Sequence, residues 1–221
     1  MQGLYPWQQQ QWQLLYDYRR QARMPHAMLL HGEAETGKRL FALRLAESLL
    51  CSKGGEYPCG ECHSCRLLRA GNHPDLVEVM PEEAGKAIKV DKVRAYIEEA
   101  MLTPQIADCR VCIISPADAM NQSASNSLLK TLEEPAPENH LLLVSDRPAQ
   151  LSATIRSRCQ KVAFPRPQEE ESLAWLEQQH PGADWENLFA CSNGLPLRAL
   201  RFAESGEAEN YQKLQASFAG L

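Results

Sequence analysis

Residues 27–39 read Ala-Met-Leu-Leu-His-Gly-Glu-Ala-Glu-Thr-Gly-Lys-Arg. A short apolar run leads into Gly32-x-x-x-x-Gly37-Lys38. The following stretch, Lys38–Leu50, carries Leu40, Phe41, Leu45, Leu49 and Leu50 at helical spacing. Strand, glycine loop and helix in that order make a phosphate-binding unit. Backbone N–H groups and the helix N-terminus face the anion, and the lysine pairs with it. The residue after the lysine should carry a hydroxyl for Mg²⁺; here it is Arg39. Glu33 and Glu35 add negative charge beside a would-be triphosphate, and Glu35 stands where a further glycine often frees the loop. Gly32, Gly37, Lys38 and Arg39 are therefore expected to form a degenerate phosphate loop, with weak or no ATP binding.

Working outward, strands and helices alternate. Apolar runs at 76–80, 110–115, 140–145 and 160–164 read as further strands. Helical patterns fall between them at 90–102, with Asp91 as expected N-cap, and at 121–134, stopped by Pro135. Five strands separated by helices predict a parallel α/β sheet covered on both faces. The character changes at Pro165-Arg-Pro167, after which helical patterns follow at 169–179, 184–191 and 196–204. The expected domains are an α/β domain over 1–166, a small helical lid over 167–207, and a start of another domain over 208–221.

A P-loop ATPase also needs acids at the end of a neighbouring strand, for Mg²⁺ and for the attacking water. After Cys112-Ile-Ile114 those positions hold Ser115 and Pro116, and Asp118 lies beyond, as a helix-start residue. With Arg39, this makes loss of hydrolysis systematic. Cys51, Cys59, Cys62 and Cys65, spaced C-x7-C-x2-C-x2-C within a segment at 51–71, fit a tetrahedral Cys₄ zinc site. Four thiolates leave no open position, so the zinc would be structural. His63 reads as a solvent-facing loop residue, and Cys109 and Cys112 as packing residues of a strand. The 221 residues carry a net charge of −5, so the surface as a whole will not attract DNA. No apolar stretch is long enough to span a bilayer and no signal peptide is visible, which points to a cytoplasmic protein. Arg19, Arg20 and Arg23 read as a solvated face.

Several segments taken together resemble one family. They are Tyr5-Pro6-Trp7, the His26–Gly32 lead into the loop, the four-cysteine insert, Ala124-x-Asn126-Ser-Leu-Leu-Lys-Thr-Leu-Glu-Glu-Pro135, and Thr154-Ile-Arg-Ser-Arg-Cys159. This set is similar to the delta-prime family of subunits of the bacterial DNA polymerase III clamp loader, which are AAA+ proteins with a RecA-like core. The resemblance covers about residues 1–205 and implies a further C-terminal collar domain of which this chain holds only the start. It implies that Arg158 acts in trans as an arginine finger in a neighbour's ATP site, with Arg156 the lesser candidate. Ser145 and Arg198 lie where related ATPases sense nucleotide. The implied partners are the clamp-loader ATPase subunits, the delta subunit, the sliding clamp and primer-template DNA; no membrane is involved. The chain would not be an enzyme by itself but a subunit of the polymerase holoenzyme. The rival readings are an active P-loop ATPase and a zinc-stabilised nucleic-acid-binding module.

Overall fold

A computed structural model describes residues 3–205. They form two compact units, one of residues 10–32 and 38–164, the other of residues 3–9, 33–37 and 165–205. The expected collar start at 208–221 lies outside the described residues.

The larger unit is built on five strands: β1 (Ala27–Gly32), β2 (Leu76–Val79), β3 (Arg110–Ile114), β4 (Asn139–Ser145) and β5 (Gln160–Phe164). All pairings are parallel, in the order β2-β3-β4-β1-β5. Around them lie α1 (Gln9–Arg20), α2 (Lys38–Leu50), α3 (His63–Arg69), α4 (Val90–Ala100), α5 (Gln122–Glu133) and α6 (Ala153–Arg158). Alternation along the strands feeds two hydrophobic layers. Leu29, Cys112, Ile114, Leu141 and Leu143 pack with Val93 and Tyr96 of α4, Leu128 of α5 and Ile155 of α6. The intervening residues Met28, Leu30, Ile113 and Leu142 are equally buried. Phe41 of α2 packs edge-on against Phe164 of β5 and Trp12 of α1. Each large apolar side chain so buried is worth about 1.5–3 kcal/mol.

The strand order positions the site. The chain leaves β1 for the far edge at β2, returns through β3 and β4, and finishes at β5 on β1's other side. The carboxyl ends of β1 and β4 thus meet at a topological switch point, where open α/β sheets gather ligands. There His31 is opposite Ser145. Gly32 sits so close to β5 that a Cβ would lie 2.1 Å from the Phe164 carbonyl oxygen.

The larger unit is an α/β core on a parallel five-stranded sheet, and helices follow it in the sequence. Local departures from the sequence reading have simple causes. Lys89, not Asp91, is the N-cap of α4, and Asp91 sits in the first turn, where its charge complements the helix dipole. The segment after Cys51 is not loop throughout: α3 starts at His63 because the Cys62 sulfur caps it, accepting from the Cys65 N–H. α5 does begin at an Asn121 cap, bonded to the Ala124 N–H at 2.8 Å. Among the described residues no helix is long and apolar enough to cross a membrane.

The smaller unit has its own core. Helices α7 (Glu169–Gln179), α8 (Trp185–Cys191) and α9 (Pro196–Ser205) pack through Leu176, Trp185, Phe189 and Ala199. The N-terminal turn joins them: Tyr5 and Trp7 stack on each other, and both meet Trp175 edge-on.

Candidate functional site

The phosphate-loop signature folds into two differently held pieces. Glu33–Gly37 belongs to the smaller unit. There Trp7 Nε1 and Gln8 Nε2 both donate to the Thr36 carbonyl, at 3.1 and 3.0 Å. Gly37 has φ 85°, and a Cβ there would come within 2.4 Å of the Tyr5 ring, so the residue is glycine for conformation and for space. Glu35 is a non-glycine residue in the left-handed region, at φ 61°. Two arginines of α9 tie its carboxylate down: Arg198 Nε at 2.8 Å and Arg201 Nη2 at 2.7 Å. Arg166 grips Glu33 through two nitrogens, Nε at 3.0 Å and Nη2 at 2.7 Å.

Lys38 opens α2 in the larger unit. Its side chain is 2% exposed, and its ammonium lies 2.7 Å from Asp146 Oδ1, just past β4. Asp118 aligns this acid. It accepts from the Ser145 hydroxyl at 2.7 Å, the Asp146 N–H at 3.1 Å and Arg147 Nε at 3.2 Å. Burial alone would raise the Asp118 pKa, but these donors hold it below the ordinary carboxylate value. Arg39 points to Glu78 of β2, 3.0 Å away. Ser115 and Pro116 follow β3, the Ser115 N–H bonded to the Val79 carbonyl. In each unit, then, cations expected to meet phosphate have carboxylate partners within the chain. Sequence reasoning missed Asp146, Arg166 and Arg201 altogether. It read Asp118 as a helix start and placed Arg198 where related ATPases sense nucleotide, without its Glu35 partner.

Arg158 ends α6. Its guanidinium donates to the Thr154 carbonyl at 3.1 Å and pairs with Glu133 of α5 at 2.7 Å. The pair is at the surface, the arginine side chain 34% and the glutamate 51% exposed. Such a pair is worth about 0.2–1 kcal/mol, so Arg158 is positioned without being locked.

The four cysteines converge. Their sulfurs all lie within 4.8 Å of one another. Cys51–Cys62 and Cys59–Cys65 are 4.0 and 3.9 Å apart. A tetrahedron with metal–sulfur bonds of about 2.3 Å has edges of about 3.8 Å, so the donor set fits a metal such as zinc. Three N–H···S bonds of 3.4 Å, from Cys59, Cys62 and Cys65, point at the sulfurs of Cys51, Cys59 and Cys62. At Cys62 burial pushes the thiol up, but bonds from Ser52 and the Cys65 N–H outweigh it and bring the pKa to about 5. Burial and the neighbouring thiols push Cys65 up to about 12. Backbone N–H groups of Glu61 and Cys62 lower the Cys59 thiol as well, and a bound cation would favour the thiolate form throughout the cluster. Arg19, read as solvated, braces this module through Ser48 Oγ at 2.7 Å and the Gly55 carbonyl at 3.0 Å. Cys112 is buried in β3, whereas Cys109 precedes the strand, its thiol directed at the Leu49 carbonyl.

Residues 7–168 match the family described as DNA polymerase III, delta subunit. The chain belongs to that family. It is 43% identical over 213 residues to DNA polymerase III subunit delta' of Pseudomonas aeruginosa, covering 95% of this chain and 64% of that protein. It is 35% identical over 220 residues to the Haemophilus influenzae subunit delta', covering 99% of this chain and 67% of that protein. The chain thus spans about two thirds of the length of these relatives. Among solved structures, a DNA polymerase III gamma subunit-related protein from Thermotoga maritima aligns with TM-score 0.60 at 24% identity, covering 85% of this chain and 57% of that one. The RuvB Holliday junction branch migration motor of the same organism aligns with TM-score 0.54 at 16% identity, covering 89% of this chain and 59% of that one. At those identities the two structures speak for the fold alone.

Proposed function

We propose that this chain is a non-hydrolysing subunit of the DNA polymerase III clamp loader. In this reading, residues 1–166 form its AAA+ domain and 167–207 its lid. Its partners are the ATPase subunits and the delta subunit, and through the assembly the sliding clamp and primed DNA. The observation that carries the reading is the pair between buried Lys38 and Asp146: the lysine that should meet a triphosphate has a carboxylate of its own chain 2.7 Å away. Arg39 in place of a hydroxyl, and Ser115 and Pro116 in place of acids, support it. Arg158 is the arginine it supplies to a neighbour's ATP. The partly exposed guanidinium at the end of α6, held by the Thr154 carbonyl and a weak surface pair, suits a group that leaves Glu133 for a phosphate. Cys51, Cys59, Cys62 and Cys65 hold a structural zinc, which when bound would crosslink the end of α2 to α3.

Two measurements test this. Nucleotide titration of the chain should give no Mg²⁺-dependent turnover; micromolar ATP binding with hydrolysis would sink the proposal. Reconstitution of the full-length protein with its ATPase partners should give a clamp-stimulated ATPase that Arg158→Ala lowers without preventing assembly. Unchanged ATPase activity would remove Arg158 from the role.

A further inference from the structure

Four buried polar side chains, Ser64, His73, Asp75 and Arg110, form a continuous path from the cysteine cluster to the loop between α4 and β3. Ser64 stands next to Cys65, and the Leu50 carbonyl next to Cys51. The Ser64 hydroxyl lies 2.6 Å from that carbonyl oxygen and 2.8 Å from His73 Nε2. His73 Nδ1 accepts the Asp75 N–H at 3.1 Å. That nitrogen therefore carries no proton, Nε2 donates to the Ser64 oxygen, and Ser64 donates to Leu50. Every donor and acceptor role on this side follows from the one before it.

Asp75 takes the path onward. Its carboxylate accepts the backbone N–H groups of Gln105, Ile106 and Ala107 at 2.7, 2.8 and 2.9 Å. Its Oδ1 lies 3.5 Å from the Arg110 guanidinium, which donates to the carbonyls of Glu99 and Thr103. This polar hold is what the loop has in place of a core. Its large apolar side chains Met101, Leu102 and Ile106 are 62%, 59% and 42% exposed, so none of these three anchors it by burial. A second brace joins the same two regions, from the Cys109 thiol to the Leu49 carbonyl.

We infer that the four-cysteine cluster is a positioning device for the loop at 103–108: metal occupancy fixes the Leu50–Ser64 junction, and Ser64, His73 and Asp75 transmit that placement to the loop's backbone. The inference rests on the reading of the cluster as a metal site. Drawing the four sulfurs together sets the separation of Cys51 and Cys65, and so of the two groups that flank them. A displaced Ser64 leaves His73 Nε2 without its acceptor, and the ring that receives the Asp75 N–H shifts with it.

The test is hydrogen exchange followed by mass spectrometry on the intact chain, after its metal content is measured. Three samples are compared: zinc-loaded, chelator-stripped, and zinc-loaded Ser64→Ala. Stripping should accelerate exchange in the peptide spanning 103–109 by about tenfold or more while β1 and β4 keep their protection. Ser64→Ala should accelerate the same peptide with its zinc content unchanged. Loosening of 51–69 on stripping with no change at 103–109 would overturn the inference. If stripping unfolds the whole chain, Ser64→Ala decides alone, and unchanged exchange at 103–109 overturns it. If the chain takes up no metal, the metal reading fails by itself. Ser64→Ala then separately upholds or overturns the relay.

Discussion

Replacing Asp146 by asparagine keeps the side-chain size and removes the charge that faces Lys38. The Lys38 side chain is 2% exposed and loses a carboxylate 2.7 Å away. Breaking a fully buried ion pair from one side costs about 3–5 kcal/mol. Here the acid is 41% exposed, so water reaches one side of the pair and the cost falls to about 2–3 kcal/mol. At about 2–4 °C per kcal/mol for a chain of this size, Tm drops by about 4–12 °C. Lys38→Met behaves differently. It removes the buried charge itself and leaves Asp146 where water can hydrate it, so its cost stays below about 1.5 kcal/mol. Calorimetric melting and urea unfolding of both variants measure the asymmetry. Asp146→Asn as stable as the parent, or milder than Lys38→Met, would refute the view that this carboxylate serves the lysine.

Three further outcomes are expected. Arg158→Ala changes the chain's own stability by no more than about 1 kcal/mol, because its pair with Glu133 is exposed. In the reconstituted assembly it nonetheless lowers ATPase activity at least tenfold, within the roughly 10³–10⁵ that an arginine finger can contribute. Cys62→Ser lowers bound zinc below about half an equivalent by metal analysis and reduces stability by about 2–4 kcal/mol, the range for losing a crosslink across the 15-residue stretch 51–65. Asp75 gives a pH signature. Burial raises its pKa, but the N–H groups of Ala107, Gln105 and Ile106 outweigh it and hold the value low. A depressed folded pKa means the stabilisation is complete above the unfolded value of about 4 and is lost as pH falls through the folded one. The stability gap between the parent and Asp75→Asn, measured by urea unfolding, should therefore be constant from pH 7 to 5 and narrow below 4.

Much of the larger unit was readable because its central strands are buried on both faces and spell themselves as apolar runs: β3 and β4 fall within one residue of their expected bounds. Elements that depend on unusual caps were not. α3 is seven residues long and starts on a cysteine sulfur, which no propensity scale marks. The six-residue α6 is too short to show a helical period, although Ser152, an ordinary cap, accepts the Ile155 N–H. The site divides in the same way. Cysteine spacing and the loop glycines are local signals, whereas the carboxylates that face the loop cations come from tertiary structure. Nothing in the residues around Lys38 points to Asp146, more than a hundred positions away. His73-Pro74-Asp75 before β2 looks like an ordinary turn until the amides it collects are seen.

The left-handed Glu35 bears on how such a loop changes over generations. Its backbone conformation costs about 1 kcal/mol for a residue with a Cβ, offset by the two arginines of α9. Restoring a hydroxyl at position 39 would return a metal ligand to a loop whose charges are already matched elsewhere in the chain. Replacing Glu35 alone would leave Arg198 and Arg201 without their shared carboxylate, and replacing Asp146 alone would destabilise Lys38. Under the proposed function, each backward step lowers fitness before any turnover returns. Loss of hydrolysis in this subunit would then be a ratchet, and its lineage would keep the shape of a nucleotide site long after the selection that made it had gone.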